Sequence, residues 1–155
     1  NIMTVADDGL YCSPYNVALA SKFAVLPTTD ENPTRNIFYV PADTKFVEIQ
    51  AIVNTENAIV QNSQSWTFDV VVATKSGDEW TYGTDPLFSI TAIRNGSRTG
   101  EHGHQYYSTF SVMAYESFFV EDGIPEGYYA FVKTGGDAYR IATFDVSTTS
   151  VTVGG

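Results

Sequence analysis

The chain has 155 residues, of which 18 are acidic and 8 basic, so its formal net charge is −10. Such a chain repels phosphate backbones and anionic lipids, its basic residues are scattered, and no apolar run approaches the ~18 residues of a membrane span. We therefore exclude nucleic-acid and membrane partners. Cys12 is the single cysteine, which excludes an internal disulfide. The length predicts one domain over 1–155, and because a globule of this size buries roughly 70% of its unfolded surface, it needs no disulfide for stability.

The first 36 residues predict an arm, a strand and a loop. Asn1–Pro14 is mixed in character, which is typical of an extended N-terminal arm. Tyr15–Leu26 contains alanines that favour helix, but the pattern of Lys22–Leu26 favours a strand that Pro27 ends, and we interpret the segment as a strand. Pro27–Asn36 is polar and contains prolines, which predicts an exposed loop.

The middle of the chain predicts strands with one apolar face, above all Lys45–Asn54 and Trp66–Thr74. Alternate side chains of a strand point to opposite faces of its sheet. The residues predicted to face the core are Val47, Ile49, Ala51, Val53, Trp66, Phe68, Val70 and Val72. Asn95–Gly103 is glycine-rich and polar, which predicts a second exposed loop, and alternation resumes over His104–Tyr115.

Two aromatic runs near the C-terminus, Gly127–Thr134 and Ala138–Val146, flank Gly135 and Gly136. Adjacent glycines adopt positive φ without steric cost, as tight hairpin turns require. This pattern predicts a central β-hairpin in which the two runs pair with each other.

The whole pattern predicts an all-β fold, a jelly-roll-like antiparallel β-sandwich. We expect about nine to eleven short strands with turn signals every ~8–12 residues, and no convincing helix. The absence of an internal repeat argues against propellers and solenoids. The strand number exceeds seven and the Cys…Trp…Cys spacing is missing, which favours a jelly roll over an immunoglobulin-like sandwich.

The histidine cluster of the chain, Glu101, His102 and His104, is a candidate for a metal site. Two histidines at i and i+2 on a strand share a face, and with a carboxylate they can hold a divalent metal. No third His or Cys accompanies them, and the segment is a glycine-rich loop. We therefore expect a solvated loop and no cofactor, unless such loops from several subunits meet on a symmetry axis.

No motif in the chain indicates catalysis. A G-x-S-x-G elbow, a P-loop and an H-E-x-x-H motif are all missing from the sequence. The adjacent acidic pairs lie in predicted turns, where Asp is a common turn former. We therefore expect a protein that is not an enzyme.

The chain has ten tyrosines and ten phenylalanines, and some of its aromatic side chains are expected on the surface. Tyrosine is enriched at protein contacts and on sugar-binding platforms, because its ring combines apolar area with a polar tip. Half-buried sheet tyrosines with hydroxyls in water are the simpler alternative. The residues predicted to form an interaction surface are Trp80, Tyr82, Arg94, Arg98, Tyr106 and Tyr107.

The short strands, the acidic and lysine-poor composition and the C-terminal stretch FDVSTTSVTVGG, Phe144–Gly155, resemble virion structural proteins of tailed phages. The resemblance is to capsid decoration (cement) and head-fibre proteins, and it concerns the composition and strand pattern of the whole chain. It implies a sandwich that assembles, often as a trimer, on a capsid surface. It therefore implies a location on the virion surface or outside the cell, and it assigns no functional residues.

Two functions follow as expectations from these observations. The first is a structural protein acting by surface contact, namely a capsid decoration protein, with further copies of itself and a capsid or filament lattice as partners. Low charge would limit the desolvation cost at such an interface. The alternative is a carbohydrate-binding module or an adhesin or fibre-tip domain, in which Trp80, Tyr82 or the pair Tyr106 and Tyr107 forms a sugar platform.

Overall fold

The computed structural model describes residues 4–5, 11–12, 15–28, 34–97 and 103–153, with the backbone alone at 4–5 and 11–12. The regular elements in these ranges are antiparallel β-strands, thirteen in number, and none of these residues forms a helix that could cross a membrane. In chain order they are β1 (Thr4–Val5), β2 (Tyr11–Cys12), β3 (Tyr15–Pro27), β4 (Ile37–Val40), β5 (Thr44–Asn54), β6 (Ala58–Ile59), β7 (Gln64–Ser76), β8 (Glu79–Tyr82), β9 (Phe88–Arg94), β10 (Tyr107–Ser108), β11 (Ser111–Ile124), β12 (Gly127–Gly136) and β13 (Ile141–Val153).

Two sheets pack face to face as a sandwich. Sheet one has four strands in the order β11-β5-β13-β3. Sheet two has the order β4-β12-β7-β8, and β9 also pairs with β7. The long strand β7 has two partners along one edge, because its first half pairs with β9 and its second half with β8. Short two-stranded pairs, β1-β2 and β6-β10, complete the described strands.

The core lies between the inner faces of the two sheets. Its largest fully buried side chains are aromatic: Trp66, Phe68, Phe131 and Phe144. The alternation of apolar residues in β5 and β7 predicted eight core-facing side chains. Seven of these predictions are confirmed, and the one for Val72 is wrong. Val72 is 50% exposed whereas Val71 is buried, so the alternation of β7 shifts by one residue after Val70, where its edge partner changes from β9 to β8.

The predicted central hairpin is wrong, because β12 and β13 lie in different sheets. Gly136 ends β12 with φ +99°, and a Cβ there would lie 2.1 Å from the carbonyl oxygen of Ser65. Glycine therefore permits a close approach to β7 and a change of direction, where a two-residue turn was expected. Asp137 holds the crossing: its backbone N–H donates to Ser65 O, and its carboxylate accepts from Ser65 N–H, both at 2.8 Å.

Nine of the described strands have four residues or more, which agrees with the predicted number. The strand predicted at Tyr15–Leu26 is confirmed as β3, whose thirteen residues all pair with β13. Without β8, each sheet has four of these strands, the division that a jelly roll also has. The narrower jelly-roll assignment stays a prediction, as does the arm over Asn1–Pro14, of which only the β1 and β2 backbone is described.

Candidate interaction surfaces

Two of the residues predicted to form a surface, Trp80 and Tyr82, lie on β8 of sheet two, and Trp80 belongs to an aromatic cluster. Trp80 packs edge-on against Tyr128 with ring centroids 5.3 Å apart, and Tyr128 packs edge-on against Tyr39 at 5.1 Å. The Tyr82 hydroxyl donates to Asn36 Oδ1 at 3.3 Å. Of the three rings Tyr39, Trp80 and Tyr128, that of Tyr128 is exposed and the other two are half-buried. The cluster therefore has an accessible aromatic surface, but its rings are not coplanar.

A shallow cavity adjoins this cluster at Glu126. Its volume is about 290 Å³, and its lining residues are Ala42, Asp43, Asp122, Gly123, Ile124, Pro125 and Glu126. The Tyr39 hydroxyl donates a hydrogen bond to the Glu126 carboxylate. This hydrogen bond raises the pKa of the Tyr39 hydroxyl, because ionisation would place two negative oxygens side by side. The cavity thus combines carboxylates with a nearby aromatic edge.

Arg94 is half-buried, and its guanidinium is held by hydrogen-bond acceptors of its own chain. Its guanidinium donates to the carbonyl oxygens of Ile59 at 2.8 Å and Asn62 at 2.6 Å, and to Gln64 Oε1 at 3.1 Å. The same group lies 4.0 Å from the Phe110 ring centroid. The planar fork of Arg suits such a cage of acceptors. Arg94 thus fixes β6 and the residues that follow it to β9. Arg98 lies outside the described residues.

Tyr106 and Tyr107 lie near Arg94 and apart from Trp80. The carbonyl oxygen of Tyr106 accepts from Val60 N–H at 2.7 Å, and the exposed Tyr107 is paired with Ile59. Arg94 pairs with Gln64, the first residue of β7, and Trp80 pairs with Lys75, the twelfth. At ~3.4 Å per residue, these positions are roughly 37 Å apart. The structure therefore divides the predicted surface into two separate regions.

The predicted histidine cluster is only partly described. Glu101 and His102 lie outside the described residues, and His104 is exposed, with its carbonyl oxygen accepting from Gln61 Nε2 at 3.0 Å. Within the described part of the chain, no group of three His, Cys, Asp or Glu residues is arranged to hold a metal.

Many of the exposed large apolar side chains lie on the outer face of sheet one, a surface that the sequence did not single out. Its apolar members come from the two edge strands and from β5, and several are mostly exposed: Leu19 at 79%, Phe23 at 61%, Met113 at 61%, Tyr115 at 60% and Phe119 at 59%. Val17 and Phe46 are also exposed. We call this set the apolar face: Val17, Leu19, Phe23, Phe46, Met113, Tyr115 and Phe119.

Cross-strand pairs order the side chains of the apolar face. Phe119 lies opposite Phe46, and their ring centroids are 4.7 Å apart. The Tyr115 hydroxyl donates to Glu48 Oε2 at 2.7 Å, and this hydrogen bond raises the pKa of the tyrosine hydroxyl. Glu48 and Asp145 are the carboxylates among these rings, and Lys45, at the β5 bulge beside Phe46, donates from Nζ to Glu121 O at 2.8 Å. The centre of the apolar face is therefore negatively charged.

No protein-family model, no curated protein and no solved structure significantly matches this chain. Its function is therefore argued from the two surfaces, the apolar face of sheet one and the aromatic cluster of sheet two.

Proposed function

We propose that this protein is a structural protein without enzymatic activity, which acts by surface contact through the apolar face. The observation that carries this proposal is the exposure of Met113, Tyr115 and Phe119 on one edge strand of sheet one and of Leu19 and Phe23 on the opposite edge strand. Monomeric soluble proteins rarely expose contiguous apolar patches larger than a few hundred Å², and larger ones mark interaction sites.

The dimensions of the apolar face suit a protein partner. The whole outer face of sheet one, with four strands ~4.8 Å apart and about ten residues each at ~3.4 Å, has an area of roughly 650 Å², and the apolar face lies within it. A stable protein interface buries about 800 Å² on each partner. Large rings such as Tyr115 and Phe119 are the side chains that contribute most at interface centres, because they bury much area at a low entropic cost.

The chemistry of the partner follows from the charge of the face. Glu48 and Asp145 would lose water on contact, and this loss is offset only if the partner supplies cations or hydrogen-bond donors. The partner therefore presents apolar side chains together with Lys or Arg. A repeating protein lattice with such patches fits this description, and the resemblance to tailed-phage virion proteins specifies it further. The finer proposal is a capsid decoration protein on a virion surface.

Co-sedimentation with assembled heads of the phage that encodes the chain tests this proposal. Met113→Glu places a third carboxylate on the apolar face, so its dissociation constant should rise at least about tenfold. Ile93→Glu is the matched control, because Ile93 is 63% exposed on a strand of sheet two and Met113 61% exposed on sheet one. The control should bind as the wild type does. Equal binding by all three proteins, or no binding by the wild type, would contradict the proposal.

The aromatic cluster supports a second candidate, a carbohydrate-binding domain. Trp80 and Tyr128 pack together beside the cavity that Glu126 lines, so apolar ring edges and hydrogen-bonding carboxylates are adjacent. Sugar ligands require this combination, since they have apolar faces and many hydroxyls. A glycan array followed by thermal melting tests it: a bound glycan raises the melting temperature by mass action, and Tyr128→Ala should abolish that rise. A melting temperature that no glycan raises would exclude this function.

A further inference from the structure

The strand β3 is an outer strand of sheet one, and no described residue pairs with half of its free edge. The N–H of Val25 donates to Arg35 O at 2.9 Å, on the side away from β13. Backbone groups in an antiparallel strand alternate between its two sides, and the pairing of β3 with β13 runs without a register shift. The N–H and C=O groups that point outward are therefore those of Val17, Leu19, Ser21 and Phe23. No described residue pairs with them.

The same stretch also exposes its side chains. Val17, Leu19 and Phe23 are mostly exposed, and they point to the outer face of sheet one. A long, flat and apolar edge is a template for pairing with another strand, and proteins usually block such edges with charge or proline. Here the stretch before Pro27 has a single charge, Lys22, so the usual protection is weak.

The charge distribution identifies the strand that fits this edge. No Asp or Glu occurs from residue 9 to residue 29, although the chain has 18 acidic residues and a net charge of −10. Two copies of such a chain repel each other least where these carboxylates are absent. When two β3 strands pair antiparallel across a two-fold axis, odd-numbered residues of one copy lie opposite odd-numbered residues of the other. The outward backbone N–H and C=O groups of the two copies therefore face each other.

We propose that two copies of this chain pair through the free edge of β3, antiparallel and centred on Ala20. In this register Val17 lies opposite Phe23 of the second copy, and Leu19 lies opposite its Ser21. The outward N–H and C=O groups then bond to each other, and the two four-stranded sheets form one sheet of eight strands. The apolar faces become continuous across the axis. An isologous interface of this kind closes as a dimer, whereas the resemblance to virion proteins implies a trimer. The proposal is independent of the capsid lattice.

A proline substitution on the edge tests the pairing. Ser21→Pro removes an N–H that points to solvent in the monomer, where edge strands tolerate proline, but it blocks the bond to a second copy. Sedimentation equilibrium should show a wild-type dimer and a dissociation constant at least about tenfold higher for Ser21→Pro. Ser21→Thr is the matched control, because it keeps the N–H and should dimerise as the wild type does. A wild-type monomer or trimer would overturn the proposal.

A cysteine crosslink tests the register and does not depend on the proline variant folding. Ala20→Cys in a Cys12→Ser background places two thiols opposite each other on the two-fold axis, and mild oxidation should give a covalent dimer. Thr74→Cys in the same background is the control, since Thr74 is exposed on β7, far from the edge, and should stay monomeric under these conditions. A dimer that persists in Ser21→Pro and is not crosslinked by Ala20→Cys would place the contact elsewhere and overturn the proposal.

Discussion

The rings of Phe131 and Phe144 stack across the core, with centroids 3.8 Å apart and planes 4° from parallel. Phe131 belongs to β12 in sheet two and Phe144 to β13 in sheet one. The two strands that the sequence joins through a short connection therefore face each other and do not pair side by side. This stack is the centre of a group that includes Phe68, whose ring meets Phe144 edge-on at 5.2 Å.

Replacing Phe144 by alanine should lower the free energy of unfolding by about 3–5 kcal/mol, because it opens a cavity in a fully buried aromatic group. Phe119→Ala is the control: this phenylalanine is 59% exposed, and its loss should cost about 1 kcal/mol or less. Urea denaturation of both variants provides the comparison. Similar losses in the two would show that the stack is not part of the core.

Gly136 should tolerate no side chain. Alanine there would place Cβ 2.1 Å from Ser65 O at a φ of +99°, so the end of β12 would have to leave β7. Gly77 is the control, since it has φ +64° and nothing within 4 Å of a Cβ, and its change to alanine should cost only about 1 kcal/mol. Thermal melting should show a far larger drop for Gly136→Ala. An equal drop would mean that φ alone, and not the contact with Ser65, explains the glycine.

The sequence predicted the strands and their inner faces well but could not place them in sheets. Alternation is a local property, so the buried sides of β5 and of most of β7 follow from it directly. Which strands pair is decided by contacts distant in sequence. Gly135 and Gly136 are typical of a hairpin turn, yet here Gly136 permits the close contact with β7. Nothing within a few residues distinguishes these two uses of glycine.

Arg94→Lys should lower the free energy of unfolding by about 1.5–3 kcal/mol, because the compact ammonium group cannot reach all the acceptors of the guanidinium. Ile59 O and Asn62 O would lose their charged donor, and the segment from Ile59 to Asn62 would open more often. The control is Arg140→Lys. Because Arg140 is exposed, this substitution should lower the free energy of unfolding by less than about 0.5 kcal/mol. Hydrogen exchange around Ile59 should increase only in the first variant. Unchanged exchange there would refute a structural role for Arg94.

Stability should fall as the pH rises from 10 to 12, in part because of Tyr139. Burial raises the pKa of its hydroxyl from 10.0 to about 12. Between these values the folded state keeps a proton that the unfolded state releases, so ionisation favours unfolding; below pH 10 both states keep it, and this group has no effect. Tyr139→Phe cannot ionise and should lose less stability over this range. Burial also raises the pKa of Tyr129, so some slope should remain. Identical pH profiles for the two proteins would contradict this assignment.

The apolar face could have been partly anticipated. Along β11, Met113, Tyr115 and Phe119 lie on one side of the strand, while Val112 and Phe118 lie on the side towards the core. A strand with large apolar side chains on both faces needs cover on both. Only the fold shows that sheet two covers one face, and that no described element covers the other.

Hydroxyl-radical footprinting of the free and the lattice-bound protein tests the central claim most directly, since methionine and aromatic side chains react readily and report their own exposure. If the apolar face is the contact surface, Met113, Tyr115 and Phe119 should be protected on the lattice, while Tyr128 on sheet two stays as reactive as in the free chain. Protection of Tyr128, with Met113 and Tyr115 still fully oxidised, would contradict the account and assign the contact to the aromatic cluster.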